Sequence, residues 1–430
     1  MNRGLVVLHR LADHSQIVLA FAAVLIVAFG AVLSIRQGNR VKSLDEPSFF
    51  DIGKNIGTHF RFAHTKSPEG ELRPTADRAP GYPLFIAPFI RLGAEYAALR
   101  TVNFILIALT LVLLYFLLVT RYSRLAGLLG VFFVLGYPVL LYAASTLYPQ
   151  SLEAFLLVAT IWLLDRARSD APFWVHALLG LAFGLLVLTI PIFVLLAPIT
   201  LLWPVLSRRS QVRQVALTTG IMILLVALWT TRNYVVFRAF IPLATNSGIT
   251  LLSGNCETTV YNQASAMVSW SDAVGREITG KGEVEVNRIL TRVAWENMWK
   301  NPGRTFVLYW QKFFYWFAYS NKLRSDEAVP GGSGGGPTWL RDYVMLFTYG
   351  PLLALLVVRL MLIRRLPLTD LEVLFLSLYL AAGMAYAIFF TRIRYRLPFD
   401  WLLIALDAIF VARVIAGRLV RLKHLEGVGP

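Results

Sequence analysis

Charge is what this sequence has least of. Charged residues make up 15% of its 430 positions, against roughly a quarter in soluble globular domains. That shortfall excludes a conventional water-soluble fold. Cysteine is almost absent, with Cys256 alone. An intrachain disulfide and a cysteine metal cage are therefore both excluded. The six histidines, at 9, 14, 59, 64, 176 and 424, fall at no spacing suited to a shared metal. Acidic residues are also scarce, 25 against 41 Lys and Arg, for a net charge of +16. In a soluble chain that excess would suggest nucleic acid. Here 57% of residues are hydrophobic, so it fits basic cytoplasmic edges and anionic membrane or phosphate ligands, with no nucleic-acid partner.

What is abundant is the long apolar run. The expected class is an all-α polytopic membrane protein with about ten transmembrane helices of ~20 residues each. The first span reads "QIVLAFAAVLIVAFGAVLSI" at 16–35. It is too long for a signal-peptide core and lacks a small-residue cleavage site, so it reads as a retained anchor. Further spans fall at 99–119, 126–146, 149–164, 174–190, 192–206, 215–231, 342–363, 371–390 and 398–417. Three parts follow: an N-terminal membrane module (1–231) with a first outer loop at 36–98, an extracytoplasmic loop (232–341), and a C-terminal membrane module (342–430). In the middle part, Val286, Ile289, Leu290 and Val293 share one helical face. The aromatic stretch 304–320 suits an interfacial helix, since Gln311 and Lys312 interrupt it. "VPGGSGGGP" reads as a flexible linker.

With ten spans, both termini face the cytoplasm. Arg3, Arg10, Arg208, Arg209, Arg213, Arg364, Arg365, Arg418, Arg421 and Lys423 then lie inside, as the positive-inside rule asks. One cluster violates it. "TRIRYRLPFD" places Arg392, Arg394 and Arg396 in a short outer turn at 391–396. A bound anion would account for that exception, because guanidinium forks match phosphate and stay charged. Snorkelling to headgroups is the plainer alternative.

Two adjacent carboxylates, Asp45 and Glu46, stand just past the first span in "VKSLDEPSFFDIGKNI". Pro47 suits the first position of a helix with Glu46 as its cap, and Phe49, Ile52, Ile56 and Phe60 continue an apolar face. The same carboxylates could serve as a base where a lipid headgroup meets a water-borne acceptor. In "TADRAPGYPLFIAPFIRLG", the prolines predict a stiff bend with little regular structure, and Arg78 and Tyr82 are candidates to line a headgroup pocket. Weaker candidates for substrate binding are Glu153 at the head of a span, Arg232 at the end of the seventh, and Asn255 in "SGN". A metal is not required. Asp45 and Glu46 could hold Mg²⁺ with waters, although neighbours at a helix start do not face one point.

"LDEPSFFDIGKNI" after a first span resembles the first outer loop of the GT-C membrane glycosyltransferases. The branch it is most similar to contains the protein O-mannosyltransferases and the lipid A aminoarabinose transferases. "RAPGYPLFIAP", "TRNYVVFRAFIPLATNSGITLLSGN" and "RYRLPFDWLLIAL" resemble later landmarks, in the same order. The resemblance implies a bacterial inner-membrane enzyme. It would move a sugar, with inversion, from a polyprenyl-phosphate donor to a lipid or glycan acceptor on the outer face. Asp45 falls at the place of the base with Glu46 as its neighbour, and Arg392, Arg394 or Arg396 at that of the donor phosphate ligands. Phe49 departs from the tyrosine common in the family, so no hydroxyl acts there. Rival readings are a transporter or flippase of polyprenyl-linked glycans, a ligase or polymerase using polyprenyl diphosphate donors, and a non-catalytic scaffold. Clean spans and charges gathered in loops speak against a transporter.

Overall fold

The computed structural model describes residues 12–66, 70–207, 211–256, 259, 272–320 and 338–425. Expectations for Arg3, Arg10, Arg208, Arg209, the linker and the side chains of Arg418, Arg421 and Lys423 lie outside what is described. The rest is almost entirely helical. The helices that overlap the expected spans are α1 (Ser15–Gln37), α4 (Tyr96–Arg121), α5 (Arg124–Leu135), α7 (Gln150–Arg166), α8 (Phe173–Thr189), α9 (Phe193–Leu206), α10 (Val212–Phe237), α15 (Thr338–Met361), α16 (Asp370–Ile388) and α17 (Ile393–Leu425). Among the described residues, five are long and apolar enough to cross a bilayer: α1, α4, α10, the Asp342–Met361 part of α15, and α16. The chain is thus a multi-pass membrane protein, although the expected ten exceeds that number. Four of the others, α5, α7, α8 and α9, are short, at 12 to 17 residues, and the 33-residue α17 carries Asp400, Asp407 and Arg413 along its apolar stretch. The span expected at 126–146 breaks after Leu135, and a separate short helix, α6 (Val139–Ala144), follows Pro138, which cannot continue the ladder of the preceding helix.

Burial sorts the long helices. Within their apolar windows α4 and α16 are 61% covered by protein, α1 and α15 28%, and α10 only 6%. The first pair lies inside the bundle, and α10 faces lipid along most of its length. At the centre runs α17, packed against α5, α7, α15 and α16. Phe399, Trp401, Leu403, Ile404 and Ala405 along it are fully covered. Lipid is as apolar as these side chains, so close packing and polar clamps hold the helices together rather than transfer from water. One such clamp joins Arg359, Glu372 and Arg413, at 2.8 and 2.9 Å.

The loops carry the elements that matter most. The loop between α1 and α4 contains α2 (Glu46–His59), β1 (Ala63–Thr65), β2 (Leu72–Pro74) and α3 (Gly81–Arg91). The strands form an antiparallel hairpin in which His64 pairs with Arg73. The stiff bend expected around Tyr82 is instead helix. Pro83 sits in the first turn, where no intrahelical N–H partner is needed. Gly81 lets this turn close onto α8, since a Cβ there would meet Thr189. The second loop contains α11 (Ser247–Asn255), α12 (Asp272–Ile278), α13 (Glu283–Lys300) and α14 (Pro302–Tyr315). Ile289, Leu290 and Ala294 are the buried face of α13, and Leu290 and Ala294 cluster with Leu251, Leu252 and Cys256 of the α11 region. At 14 residues, α14 falls short of a span, and it packs on α16.

Candidate active site

The cap of α2 is Asp45, not Glu46, and its side chain makes no capping hydrogen bond. A carboxylate at a helix start ordinarily accepts from the first free N–H groups. This one turns away to two guanidiniums. Arg78 Nη2 donates to Oδ1 at 3.1 Å, and Arg394 Nη1 donates to Oδ2 at 3.0 Å. The loop after α1 therefore meets the start of α17 on one residue, and most of the short turn expected at 391–396 is the first turn of that helix, which begins at Ile393.

Each arginine is itself fixed. Arg78 donates from Nε to Ser48 Oγ at 3.1 Å and lies over the Phe49 ring. Arg394 lies over both Tyr148 and Tyr395, and its Nη2 donates to the Tyr395 hydroxyl at 3.0 Å. Arg392 stacks on Phe390. Asp45, Arg78, Arg392, Arg394, Phe390 and Tyr395 all line one cavity of about 750 Å³. Two cations on one carboxylate leave a net positive charge, with Arg392 adding to it. The arrangement can attract and hold a phosphate through planar forks.

Glu46 faces the opposite way. It is fully buried and accepts from Lys42 N at 2.6 Å, Leu147 N at 2.9 Å and Arg100 Nη2 at 3.3 Å. Arg100, also fully buried, donates onward to the carbonyls of Gly38 and Arg40. This knot ties the end of α1, the start of α2, α4 and the 145–148 segment together. A single helical step separates the two carboxylates, and it points one to the cavity and the other to the interior.

The remaining candidates lie elsewhere. Arg396 is buried, pairs with Asp400 at 3.1 Å and donates to the carbonyls of Trp316 and Ala318. It braces α14 against α17 and does not line the cavity. Tyr82 is buried between α3 and α4, hydrogen-bonded to Asn103 and edge-on to Phe49. Glu153 is fully buried, and neither carboxylate oxygen has a hydrogen-bond partner among the described residues. Arg232 lies within α10 and donates to the carbonyls of Thr75 and Phe62, so it holds the hairpin in place. Asn255 accepts from Lys312 Nζ at 3.0 Å and donates to Ile388 O at 3.0 Å.

Lys312 is a residue the sequence singled out only as an interruption. It is 2% exposed. Its ammonium donates to Gly254 O, Asn255 Oδ1 and Phe389 O at 3.1, 3.0 and 2.9 Å. Burial, with Arg304 nearby, lowers its pKa to about 7. The clamp pins the end of α11 to the segment just before Arg392 and the start of α17.

A polar cluster beside Asp45 also escaped sequence reading. His64 Nδ1 meets Asp51 and Nε2 meets Asp77, each at 3.1 Å. With a carboxylate on each ring nitrogen, the imidazolium is the favoured form. Burial opposes that charge, but Asp77 and Asp51 outweigh it and raise the pKa of His64. Burial likewise pushes Asp51 and Asp77 up, and their hydrogen bonds prevail and lower both. Glu283 accepts from Thr75 Oγ1 at 2.8 Å and Ala76 N at 2.7 Å, and burial raises its pKa. These contacts fix the 75–78 segment and so aim Arg78. Among the described residues, no group of His, Cys, Asp and Glu is placed to hold a metal ion.

No curated protein matches the chain. Among solved structures it is similar to ArnT from Cupriavidus metallidurans in the apo state, at 13% identity over 90% of this chain and 77% of that one, with a TM-score of 0.42. Its similarity to the same protein bound to undecaprenyl phosphate is 14% identity over 95% of this chain and 81% of that one, TM-score 0.39. Residues 77–231 match the family described as dolichyl-phosphate-mannose-protein mannosyltransferase. Over that segment, which begins one residue before Arg78, the chain is similar to this mannosyltransferase family, in keeping with its resemblance to the GT-C membrane glycosyltransferases.

Proposed function

We propose that the protein is an inverting glycosyltransferase of the inner membrane, taking a sugar from a polyprenyl-phosphate donor and passing it to a lipid or glycan acceptor on the extracytoplasmic face. The reading is carried by one observation: Asp45 sits in a cavity between Arg78 and Arg394.

The chemistry follows from that geometry. Asp45 takes the proton of an acceptor hydroxyl as its oxygen bonds to the anomeric carbon. The bond from that carbon to the phosphate oxygen breaks on the opposite face, and the electron pair leaves with the polyprenyl phosphate. Arg392 and Arg394 stabilise the charge gained by the phosphate, and fixed donors in a partly dry site do this without reorganising. Without donor, Arg394 is engaged on Asp45. A donor phosphate competes for that fork and releases Oδ2 to act as base. Charge balance thus couples donor binding to activation of the carboxylate. Glu46 and Arg100 hold the helix start that aims Asp45, and neither touches the reacting atoms. No step requires a metal.

The test is purified protein with a labelled polyprenyl-phosphate sugar and a membrane-lipid extract as acceptor. Release of polyprenyl phosphate with label on the acceptor and the opposite anomeric configuration is the expected result. Movement of intact donor across a vesicle bilayer without cleavage would replace the reading with a flippase.

A further inference from the structure

A second cavity, of about 630 Å³, lies behind the first and shares Thr245 and Asn287 with it as a common wall. Arg238, Phe240, Arg288, Arg292 and Trp295 line it, and no carboxylate does. Arg292 is already neutralised, by Glu277 and more distantly by Glu296 at 3.9 Å. Arg238 and Arg288 are exposed, and neither has an acidic partner among the described residues. Arg238 is moreover held at φ 53°, ψ 31° as the residue ending α10, a left-handed conformation that favours glycine and, less often, Asn or Asp. An arginine stands where the backbone would suit glycine better.

The setting indicates what those cations meet. Helix α10 faces lipid, and it ends on the side of the protein that carries the candidate site, because Arg232 in its last turns reaches the hairpin. The cavity therefore opens at headgroup level. Phe240 and Trp295, 77% and 47% exposed, are aromatic groups of the kind that settle between headgroup and acyl chain.

We propose that this cavity binds the headgroup of an anionic glycerophospholipid from the surrounding bilayer. Arg238 and Arg288 hold the phosphate, and Phe240 and Trp295 lie along the glycerol and upper acyl chains. A zwitterionic lipid fits less well, because its own ammonium would face the same cations. The proposal stands apart from the transfer reaction and does not depend on it.

The test is native mass spectrometry of the delipidated full-length protein titrated with phosphatidylglycerol or phosphatidylcholine. The expected result is a retained phosphatidylglycerol that phosphatidylcholine does not replace. Arg238→Gly with Arg288→Gln weakens retention about tenfold, a two-fork loss discounted for exposure, while Arg276→Gln on α12 leaves it unchanged. The glycine suits the backbone at 238, so this variant folds. Equal retention of the two lipids, retention unaltered in the double variant, or displacement by inorganic phosphate alone would each overturn the assignment.

Discussion

The carboxylate of Asp45 lies 3.0 Å from the guanidinium of Arg394, across a separation of 349 positions in the chain. Few contacts in the molecule join parts so distant in sequence. This one joins a helix cap that does not cap to an arginine in the first turn of α17.

The adjacent carboxylates should fail in different ways. Asp45→Asn is expected to lower turnover by about 10²- to 10⁴-fold, the usual contribution of a general base, with folding and donor binding preserved. Glu46→Gln leaves Arg100 buried opposite a neutral partner and should lower stability by about 3 kcal/mol or more. Thermal unfolding and single-turnover transfer, measured on both variants, separate the roles. Near-normal turnover by Asp45→Asn would remove it as the base.

The arginine turn should divide as well. Arg394→Ala loses charged hydrogen bonds worth about 1.5–3 kcal/mol, so donor affinity should fall roughly 10- to 100-fold. Arg396→Ala strands the buried Asp400 and should instead lower the unfolding midpoint, while the protein that does fold keeps its donor affinity. Equal losses of affinity from both substitutions would mean that the phosphate is not held where Arg394 lies.

His64 predicts a pH window. Its folded pKa is raised above 6.5, so its contribution to stability is complete below pH 6.5 and disappears as pH rises through the folded value. Asp51 and Asp77 are lowered below 3.8, so theirs is present above pH 3.8 and lost as pH falls through their folded values. The His64→Gln variant should be less stable than the parent between those limits and converge with it on the alkaline side. Parallel unfolding midpoints from pH 5 to 9 would contradict the bridge.

Lys312→Met should loosen the turn without emptying the bundle. Cys256, the single cysteine and 7% exposed, stands beside the clamp. Its labelling by a maleimide is expected to speed up about tenfold or more when the buried polar contacts are lost, of the order of one to two kcal/mol. An unchanged labelling rate would show that the clamp does not order this region.

The membrane helices were legible because a span must be a long apolar run, and the ends of α1, α4 and α16 fall within a few residues of those read from hydropathy. The arginines at 392 and 394 stand out in the sequence by a charge rule and Asp45 by family resemblance, and the structure brings these three to one cavity while Arg396 turns into the interior. Other features depend on contacts no local pattern announces. The hairpin has only three residues per strand, and Thr75 beside it is held by Glu283 from 208 positions away. The division of labour between Asp45 and Glu46 depends on helix phase at a start that Pro47 allows at more than one residue. Tyr82 was expected at a pocket wall because a proline-rich stretch reads as loop. Once Pro83 lies in a first turn, the same residues make a helix and bury the ring.

Gly254 has a consequence for how the machine behaves under load. A Cβ on it would overlap the carbonyl of Phe389, and Lys312 bolts the same two strands of backbone together. Backbone meets backbone at that junction, with the buried Lys312 ammonium bonded to both carbonyls. In the proposed reaction, an acceptor that displaces α11 would shift the segment leading to Arg392 and Arg394 through this same junction.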